Sequence, residues 1–417
     1  MKVNNGQFKN QQEEMEMKAM FTVSAAELKK SLATMKKGMD RKSSLPILNS
    51  LHIVLEEQGC FYIERTNLQV FVRRYFGGGT WDNAFDVVVE DAALFEKTVG
   101  SFGKAEINGW IEEEEFEGRE NDNSTRKVKK YRKTLVLSNG KNEVRFNCLY
   151  DGLKDFPSFP NNPSCSFDKA DLAQLRDAVA LTVPFAAEDE TRPILHAVNF
   201  KFHDNSLSLA ATDGFRLGWY KKVEIEKGEA NGVPLDYSIN IPLNAARLLA
   251  EALKDTEEVS FLYDKAHNWM FFHTDHYRLV CTLTDGNYPD YNTIIPKHSN
   301  TSVNVAAVEM LQVVKAVEPL VKDNYGITVF DLENNGTAEE DKFEIKPKLG
   351  NGSKWNVEGD VVGQNLQIAF NATYLKDAFS AFGKRNVEMK FGSAASPMLI
   401  NVNDNAVHVL MPMHVAR

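Results

Sequence analysis

The chain has 417 residues, a formal net charge of −10 at pH 7 and 43% hydrophobic residues. This length exceeds what one core normally supports, so two to four domains are expected, and the ordinary composition excludes a disordered chain. No apolar run approaches the roughly 20 residues that cross a bilayer, and the polar N-terminus lacks the apolar core of a signal peptide. We therefore expect a cytoplasmic protein. The acidic total argues against nucleic-acid binding unless basic side chains gather on one surface.

Two types of helix are predicted, and each occurs three times along the chain. The first type follows a short strand and covers residues 26–35, 170–181 and 308–317. The second type precedes a strand and covers residues 91–103, 242–254 and 371–383. In the first helix, Leu28, Leu32 and Met35 fall on one face at helical spacing, which predicts that this face is buried.

Two segments of the chain also resemble each other directly. Residues 45–70 and 192–217 both begin near Pro-Ile-Leu, continue as alternating apolar strands and end at a Thr followed by Asn or Asp. The separation is 147 residues between Pro46 and Pro193 and 146 between Thr66 and Thr212, so one gap relates the two segments. These patterns predict an α+β fold of three tandem repeats, each with two helices on antiparallel sheet.

The Pro-rich stretches at 155–164 and 288–300 read as extended linkers between the repeats. They divide the chain into a polar N-terminal extension (1–18) and three domains (19–157, 158–290 and 291–417).

One segment breaks the repeat. Residues 110–133 have an acidic half and a basic half, which predicts a protruding hairpin whose strands pair by opposite charge. A solvated hairpin and a docking feature both remain open for this segment.

Basic residues concentrate around the first helix. Lys30 and Lys37 lie roughly opposite the Leu28 face, and Arg41 and Lys42 follow shortly after. Tandem units that pack head to tail either close into a ring or continue as a filament. The inner surface of a ring could be basic even though the net charge of the protein is negative. A solvent-exposed helix face would explain the same pattern of basic residues.

No cofactor, metal site or catalytic centre is predicted. His267, His273 and His276 lie close together in sequence, but positions 273 and 276 of a strand point to opposite faces. No local signature marks a nucleophile with a base. We therefore expect a protein that is not an enzyme.

Four motifs occur in an order and at separations that resemble the bacterial DNA polymerase III beta subunit, the DNA sliding clamp. They are "LPILNSL", "TDGFRLGWY", "GNYPDYNTIIPK" and the terminal "VLMPM", and the resemblance covers about residues 20–417. It implies a DNA clamp fold that closes as a head-to-tail homodimer into a six-domain ring. Such a ring encircles duplex DNA without reading its sequence and tethers the replicative polymerase as a processivity factor.

The resemblance also implies a hydrophobic pocket between the second and third domains. In the family this pocket binds linear motifs of polymerases, the clamp loader and repair proteins. Matched motif by motif, the pocket residues are Leu195, Thr212, Gly214, Phe215, Arg216, Leu217, Pro289, Thr293, Ile294, Val409, Met411, Pro412, Met413, His414 and Val415. Arg216 is expected to supply a donor at the rim, and the adaptable methionines suit varied apolar ligands.

For DNA, the resemblance implies Lys42 and Arg192 as phosphate contacts, in addition to Lys30, Lys37 and Arg41. Phe215 replaces the histidine that the family more often has, and the tail runs on to Arg417 instead of ending in Arg-Leu. Two other functions stay open: a peptide-binding adaptor that does not load on DNA, and an enzyme on a clamp-like scaffold.

Overall fold

The structure is a computed structural model. It describes residues 20–40, 43–77, 84–119, 127–149, 152–161, 163, 166–228, 236–334, 342–349 and 352–414. The predicted extension at 1–18, Arg41, Lys42, residues 120–126 of the predicted hairpin and Val415 lie outside the described residues.

The described residues contain seven α-helices and twenty-five strands. The helices are α1 (Ala25–Met35), α2 (Ala92–Val99), α3 (Gly152–Asp155), α4 (Leu172–Thr182), α5 (Leu243–Ala252), α6 (Ala307–Val321) and α7 (Ala372–Phe382). The strands are β1 (Phe21–Ser24), β2 (Leu51–Leu55), β3 (Phe61–Thr66), β4 (Val70–Phe76), β5 (Phe85–Val89), β6 (Glu106–Arg119), β7 (Lys127–Ser138), β8 (Glu143–Asn147), β9 (Asp168–Ala170), β10 (Ala197–His203), β11 (Ser206–Thr212), β12 (Arg216–Glu226), β13 (Tyr237–Pro242), β14 (Val259–Asp264), β15 (Trp269–Thr274), β16 (Tyr277–Thr282), β17 (Thr301–Ala306), β18 (Ile327–Glu333), β19 (Lys342–Pro347), β20 (Trp355–Asn356), β21 (Val361–Gly363), β22 (Leu366–Asn371), β23 (Asn386–Phe391), β24 (Met398–Asn401) and β25 (Ala406–Leu410).

The six predicted helices are confirmed as α1, α2, α4, α5, α6 and α7. On α1, Leu28, Leu32 and Met35 are buried, as their spacing predicts. Burying a side chain of this size stabilises the fold by about 1.5–3 kcal/mol. Asx caps fix the starts of other helices. Asp91 accepts hydrogen bonds from the backbone N–H groups of Ala93 and Leu94, each at 2.9 Å, and so begins α2.

The chain forms two compact units. The first contains the described residues of the stretch 1–164 together with Arg247–Thr282. Its strands pair antiparallel in two series, β1-β6-β7-β8 and β5-β2-β3-β4-β16-β15-β14. Helices α1 and α2 lie against each other in this unit.

The second unit contains the described residues of Cys165–Ala246 and Leu283–Arg417. One antiparallel series runs β13-β10-β11-β12-β25-β24-β23-β17-β21, and a second runs β20-β19-β18-β22. Helices α6 and α7 lie against each other. The β12–β25 pairing joins the second predicted repeat to the end of the chain.

The charged segment is a long hairpin, as predicted. β6 and β7 pair in register, with Glu113 opposite Lys133 and Glu117 opposite Lys129. Lys129 Nζ lies 2.8 Å from Glu115 Oε1, a diagonal contact between the strands. The strands continue past residues 110–133, because the apolar base of each strand belongs to the sheet with β1 and β8.

None of the described helices combines the length and the apolar composition that a membrane span requires.

Candidate functional site

A tight turn joins β11 to β12 in the second unit and forms the centre of the candidate site. The Thr212 hydroxyl donates to the carbonyl oxygen of Arg216 at 2.6 Å and accepts from the backbone N–H of Gly214 at 3.1 Å. Gly214 adopts φ +94°, where a side chain is strained, so the turn needs glycine here. Phe215 follows at the tip, and its side chain is 56% exposed.

The C-terminal strand runs beside this turn. Leu217 on β12 pairs with Val409 on β25, so the chain end emerges at the turn. The backbone N–H of Met411 then donates to the carbonyl oxygen of Phe215 at 2.8 Å. Further along, the N–H of Met413 donates to the carbonyl oxygen of Ala369 at 2.7 Å. The tail is therefore fixed by the backbone at two points, while the Met411 side chain remains 39% exposed.

Two small apolar clusters lie beneath the tail. Leu217, Val409 and Ala210 form the first, and the half-buried side chains packed against it are Trp219, Tyr291, Ile295 and Leu399. Ile327, Val329 and Ala369 form the second, and Met413 packs against it. Together they make an apolar surface bordered by two adaptable methionines, which suits binding of apolar side chains.

Arg216 is not the rim donor that the sequence suggested. Its side chain is only 6% exposed, because it donates to Asp213 Oδ2 at 2.9 Å and to Asp377 Oδ2 at 2.7 Å. The guanidinium also lies over the ring of Tyr374, 4.5 Å from its centroid. Asp213 completes the network by accepting from the backbone N–H of Phe215 at 2.9 Å. Arg216 thus fixes the turn against α7 from inside.

Two tyrosines of the Pro-rich stretch at 288–300 support the turn from the other side. The hydroxyl of Tyr288 accepts a hydrogen bond from the backbone N–H of Thr212 at 2.9 Å. Burial raises the pKa of both Tyr288 and Tyr291, so both phenols are neutral at physiological pH. Tyr291 stands against Trp219 with 5.9 Å between the ring centroids.

The remaining predicted pocket residues are distributed around this surface. Leu195 is buried, and Pro412 is half-buried. Pro289, Thr293, Ile294 and His414 are exposed. Ile295, the residue after the predicted Ile294, is the one that packs on the first cluster. Sequence reasoning missed Ile295, Trp219, Tyr288 and Tyr291, although an aromatic pair in "YPDY" was a usable signal.

Of the candidate DNA contacts that the structure describes, Lys30 and Lys37 belong to the first unit and Arg192 to the second. Lys30 and Lys37 are exposed at the first helix, where Lys30 Nζ lies 2.5 Å from Asp255 Oδ2. Arg192 lies beside the turn of the candidate pocket, since its Nη2 donates to the carbonyl oxygen of Asp213 at 2.9 Å. Its other Nη would lie 3.3 Å from a Cβ placed on Gly214.

The described residues contain no group of three or more His, Cys, Asp or Glu side chains that could hold a metal ion.

Family models match more than half of the chain. One, described as the central domain of the DNA polymerase III beta subunit, matches residues 169–290. Another, described as the C-terminal domain of that subunit, matches residues 292–414.

Curated relatives resemble the chain over most of its length. The beta sliding clamp of Bacillus subtilis is 23% identical over 409 residues, covering 94% of this chain and 99% of the relative. That of Streptococcus pneumoniae serotype 4 is 24% identical over 389 residues, covering 89% and 92%.

Solved structures have the same fold. The DNA polymerase III beta subunit of Thermotoga maritima superposes with a TM-score of 0.73 at 24% identity, covering 95% of this chain and 99% of that one. A Pseudomonas aeruginosa sliding clamp bound to griselimycin superposes with a TM-score of 0.71 at 20% identity, with the same coverage.

Paired helices on antiparallel sheet, repeated along the chain, therefore define a protein of the DNA clamp fold. Within that class, the chain belongs to the bacterial DNA polymerase III beta subunit family, the beta sliding clamps.

Proposed function

We propose that two copies of this chain associate head to tail into a ring that encircles duplex DNA and tethers the replicative polymerase. The observation that supports this most directly is the match of both family models across residues 169–414. In this role the protein is a processivity factor without catalytic activity of its own, and it acts on DNA in the cytoplasm. The proposed domains of each copy are residues 19–157, 158–290 and 291–417.

The surface around Phe215, Met411 and Met413 is the proposed docking site for linear motifs of polymerases, the clamp loader and repair proteins. The tail is fixed by backbone hydrogen bonds while the Met411 side chain remains partly exposed. A fixed backbone that presents flexible apolar side chains lowers the entropic cost of binding and still accommodates different ligands. Phe215 would add an aromatic wall to this surface.

The proposed DNA contacts are Lys30, Lys37, Arg41, Lys42 and Arg192. Contacts with phosphates suit a sliding protein, because they carry no sequence information. Arg192 is the least well supported of these DNA contacts, because its guanidinium already donates a hydrogen bond to the carbonyl oxygen of Asp213.

The experiment that tests this function measures particle mass by analytical ultracentrifugation, with and without nicked circular DNA and a clamp loader. The protein alone should sediment as a dimer, and the loaded form should co-sediment with the circles. A monomer that never associates with the circles would contradict the proposal.

The two other candidate functions are less well supported. An enzyme would need reactive groups beside the pocket, and the ionisable side chains described at the turn are engaged in its own hydrogen bonds. An adaptor that does not load on DNA would leave the clamp fold without a role for its repeats.

A further inference from the structure

The turn that carries Phe215 has a counterpart in the first unit, between β3 and β4. There the backbone N–H of Leu68 donates to the Thr66 hydroxyl oxygen at 2.9 Å, as the N–H of Gly214 does to the Thr212 hydroxyl oxygen at 3.1 Å. Leu68 adopts φ +74° and Gly214 φ +94°, so both turns pass through the left-handed region at the same step. Two repeats of the chain therefore build this turn in the same way.

The residue after the left-handed position is attached through its backbone in both turns. The carbonyl oxygen of Gln69 accepts from the N–H of Thr282 at 2.9 Å, and that of Phe215 accepts from the N–H of Met411 at 2.8 Å. The side chains of Gln69 and Phe215 are both exposed. Because a glutamine occupies this position in one turn, the turn itself does not need an aromatic side chain there. The fold of the turn therefore does not explain the exposed phenyl ring of Phe215, whereas contact with a ligand does.

The ring of Tyr374 extends the aromatic surface beside Phe215. The two ring centroids are 6.4 Å apart, and the ring planes differ by 25°. The guanidinium of Arg216 lies over the Tyr374 ring, 4.5 Å from its centroid. Asp213 and Asp377 hold this guanidinium in place. The half-buried Tyr374 is thus supported from inside the second unit, and it forms with Phe215 a surface of two nearly parallel rings.

The polar groups around these rings are paired within the turn. Asp213 accepts from the backbone N–H groups of Phe215 and Arg216, at 2.9 and 3.0 Å, and from Arg216 Nε at 2.9 Å. Arg216 Nη1 donates to Asp377 at 2.7 Å, and Arg192 donates to the carbonyl oxygen of Asp213 at 2.9 Å. The two aspartates balance the charge of the two arginines. A ligand carboxylate or carboxamide placed against the phenyl ring would therefore lose hydrogen bonds to water without gaining equivalent ones.

We propose that Phe215 sets the ligand preference of the docking site, by selecting segments that place an aromatic side chain against the rings of Phe215 and Tyr374. This ligand residue is additional to those that cover the apolar cluster at Leu217 and Val409. The inference rests on the proposed docking function and adds to it the chemical class of one ligand residue. Stacked rings contribute more than the area that they bury, by about two- to tenfold in affinity.

Fluorescence anisotropy on the full chain tests this preference with short labelled peptides. Each peptide contains two adjacent leucines, which suit the apolar clusters beneath the tail, and one variable residue that is Phe, Leu, Gln or Glu. The variable residue is moved through each position on either side of the leucines, so the experiment itself finds the register. At one of these positions, the Phe peptide should bind at least about threefold tighter than the Gln and Glu peptides.

Substitutions at position 215 assign the preference to this side chain. Phe215→Gln gives the turn the residue of its counterpart in the first unit, so it should fold normally, and thermal melting checks this. In this variant the advantage of the Phe peptide should shrink to within about twofold, whereas Phe215→Tyr should retain it. Tyr131→Gln is the matched control, since Tyr131 is a similarly exposed aromatic residue of the first unit, and it should leave the preference unchanged.

The outcomes separate this inference from the docking function on which it rests. Equal affinity for all peptides, lost when the chain ends after Leu410, would support the docking site and overturn the preference. A Leu peptide that binds as tightly as the Phe peptide would contradict an aromatic preference. The same preference in Phe215→Gln as in the original chain would also overturn the inference. Absence of any binding would overturn both the docking site and the preference.

Discussion

Met411 and Phe215 are joined through their backbones: the N–H of Met411 donates to the carbonyl oxygen of Phe215 at 2.8 Å. This bond continues the β12–β25 ladder by one step and brings the chain end to the turn at Gly214. The exposed Phe215 ring and the Met411 side chain thereby come from adjacent backbone segments. A ligand bound at the proposed docking site would cover both side chains.

Ending the chain after Leu410 should abolish binding of polymerase-derived peptides without unfolding the protein. β25 ends at Leu410, so its ladder with β12 and β24 survives the truncation. What is lost is the pair of attachments through Met411 and Met413. Isothermal titration with a clamp-binding peptide checks this, and circular dichroism controls for folding. Undiminished peptide affinity in the truncated chain would remove the tail from the site.

Replacing Arg216 with Ala should lower the free energy of unfolding by about 3 kcal/mol, because it leaves the carboxylates of Asp213 and Asp377 without their buried partner. Loss of this order should also loosen the turn and weaken peptide binding. Urea denaturation measures the first effect and titration the second.

The control is Lys222→Ala, which breaks an exposed ion pair with Glu224 at 2.6 Å. Exposed pairs contribute less than about 1 kcal/mol. If both variants lost the same small amount, the interior role of Arg216 would be wrong.

His52 should make the first unit lose stability at alkaline pH. Burial would lower its pKa, but hydrogen bonds to Asp86 and Glu64 outweigh this and raise it to about 9. Because the folded pKa lies above the ordinary 6.5, the stabilisation is fully present below that value and disappears as pH rises through about 9.

Urea midpoints at about pH 7 and about pH 10 measure this loss, which should reach up to roughly 3 kcal/mol. His52→Gln should be less stable at neutral pH and show a shallower alkaline decline. Parallel curves for the two proteins would show that His52 is not the group responsible.

His408 should have the opposite effect at acid pH. It lies on β25 between Phe185 and Phe382, with ring centroids 4.4 Å and 4.8 Å away. Burial lowers its pKa to about 3, and neither ring nitrogen has a hydrogen-bond partner in the described part of the chain. Below about pH 6.5 the unfolded chain therefore binds a proton at this histidine that the folded chain does not bind. The free energy of unfolding decreases as the pH is lowered through this range.

His408→Phe should keep the ring packing and flatten the acid limb of the stability profile. Chemical denaturation at about pH 7 and about pH 4.5 compares the two proteins. His414→Phe, at an exposed position after β25, is the matched control and should leave the profile unchanged. An acid limb as steep in His408→Phe as in the original chain would contradict this account.

Local pattern was sufficient for the helices and for the charged hairpin. The Leu28/Leu32/Met35 spacing and the opposite charges of Glu113 and Lys133 are near-neighbour features that depend on little else. The repeat of Pro-Ile-Leu and Thr-Asn/Asp likewise marked two turns whose hydrogen bonds prove alike.

Distant partners set the features that the sequence did not reveal. Arg216 is buried because Asp377, 161 residues away, lies opposite it. His52 meets Glu64 and Asp86 across two neighbouring strands, and no motif marks that spacing. Arg192 lies beside the turn because of the fold of the second unit. The sequence alone therefore could not show that its guanidinium binds the carbonyl oxygen of Asp213, although the family resemblance implied a DNA contact.

The most direct test of the central claim is the retention of the protein on circular and linear DNA. The protein is loaded on nicked plasmid with its clamp loader and passed over a sizing column at moderate salt, before and after the plasmid is cut once. A closed ring should stay with the circles and leave quickly from the cut ends, because its attachment is topological and its phosphate contacts are weak. Equal loss from both forms, or equal retention on both, would contradict encirclement.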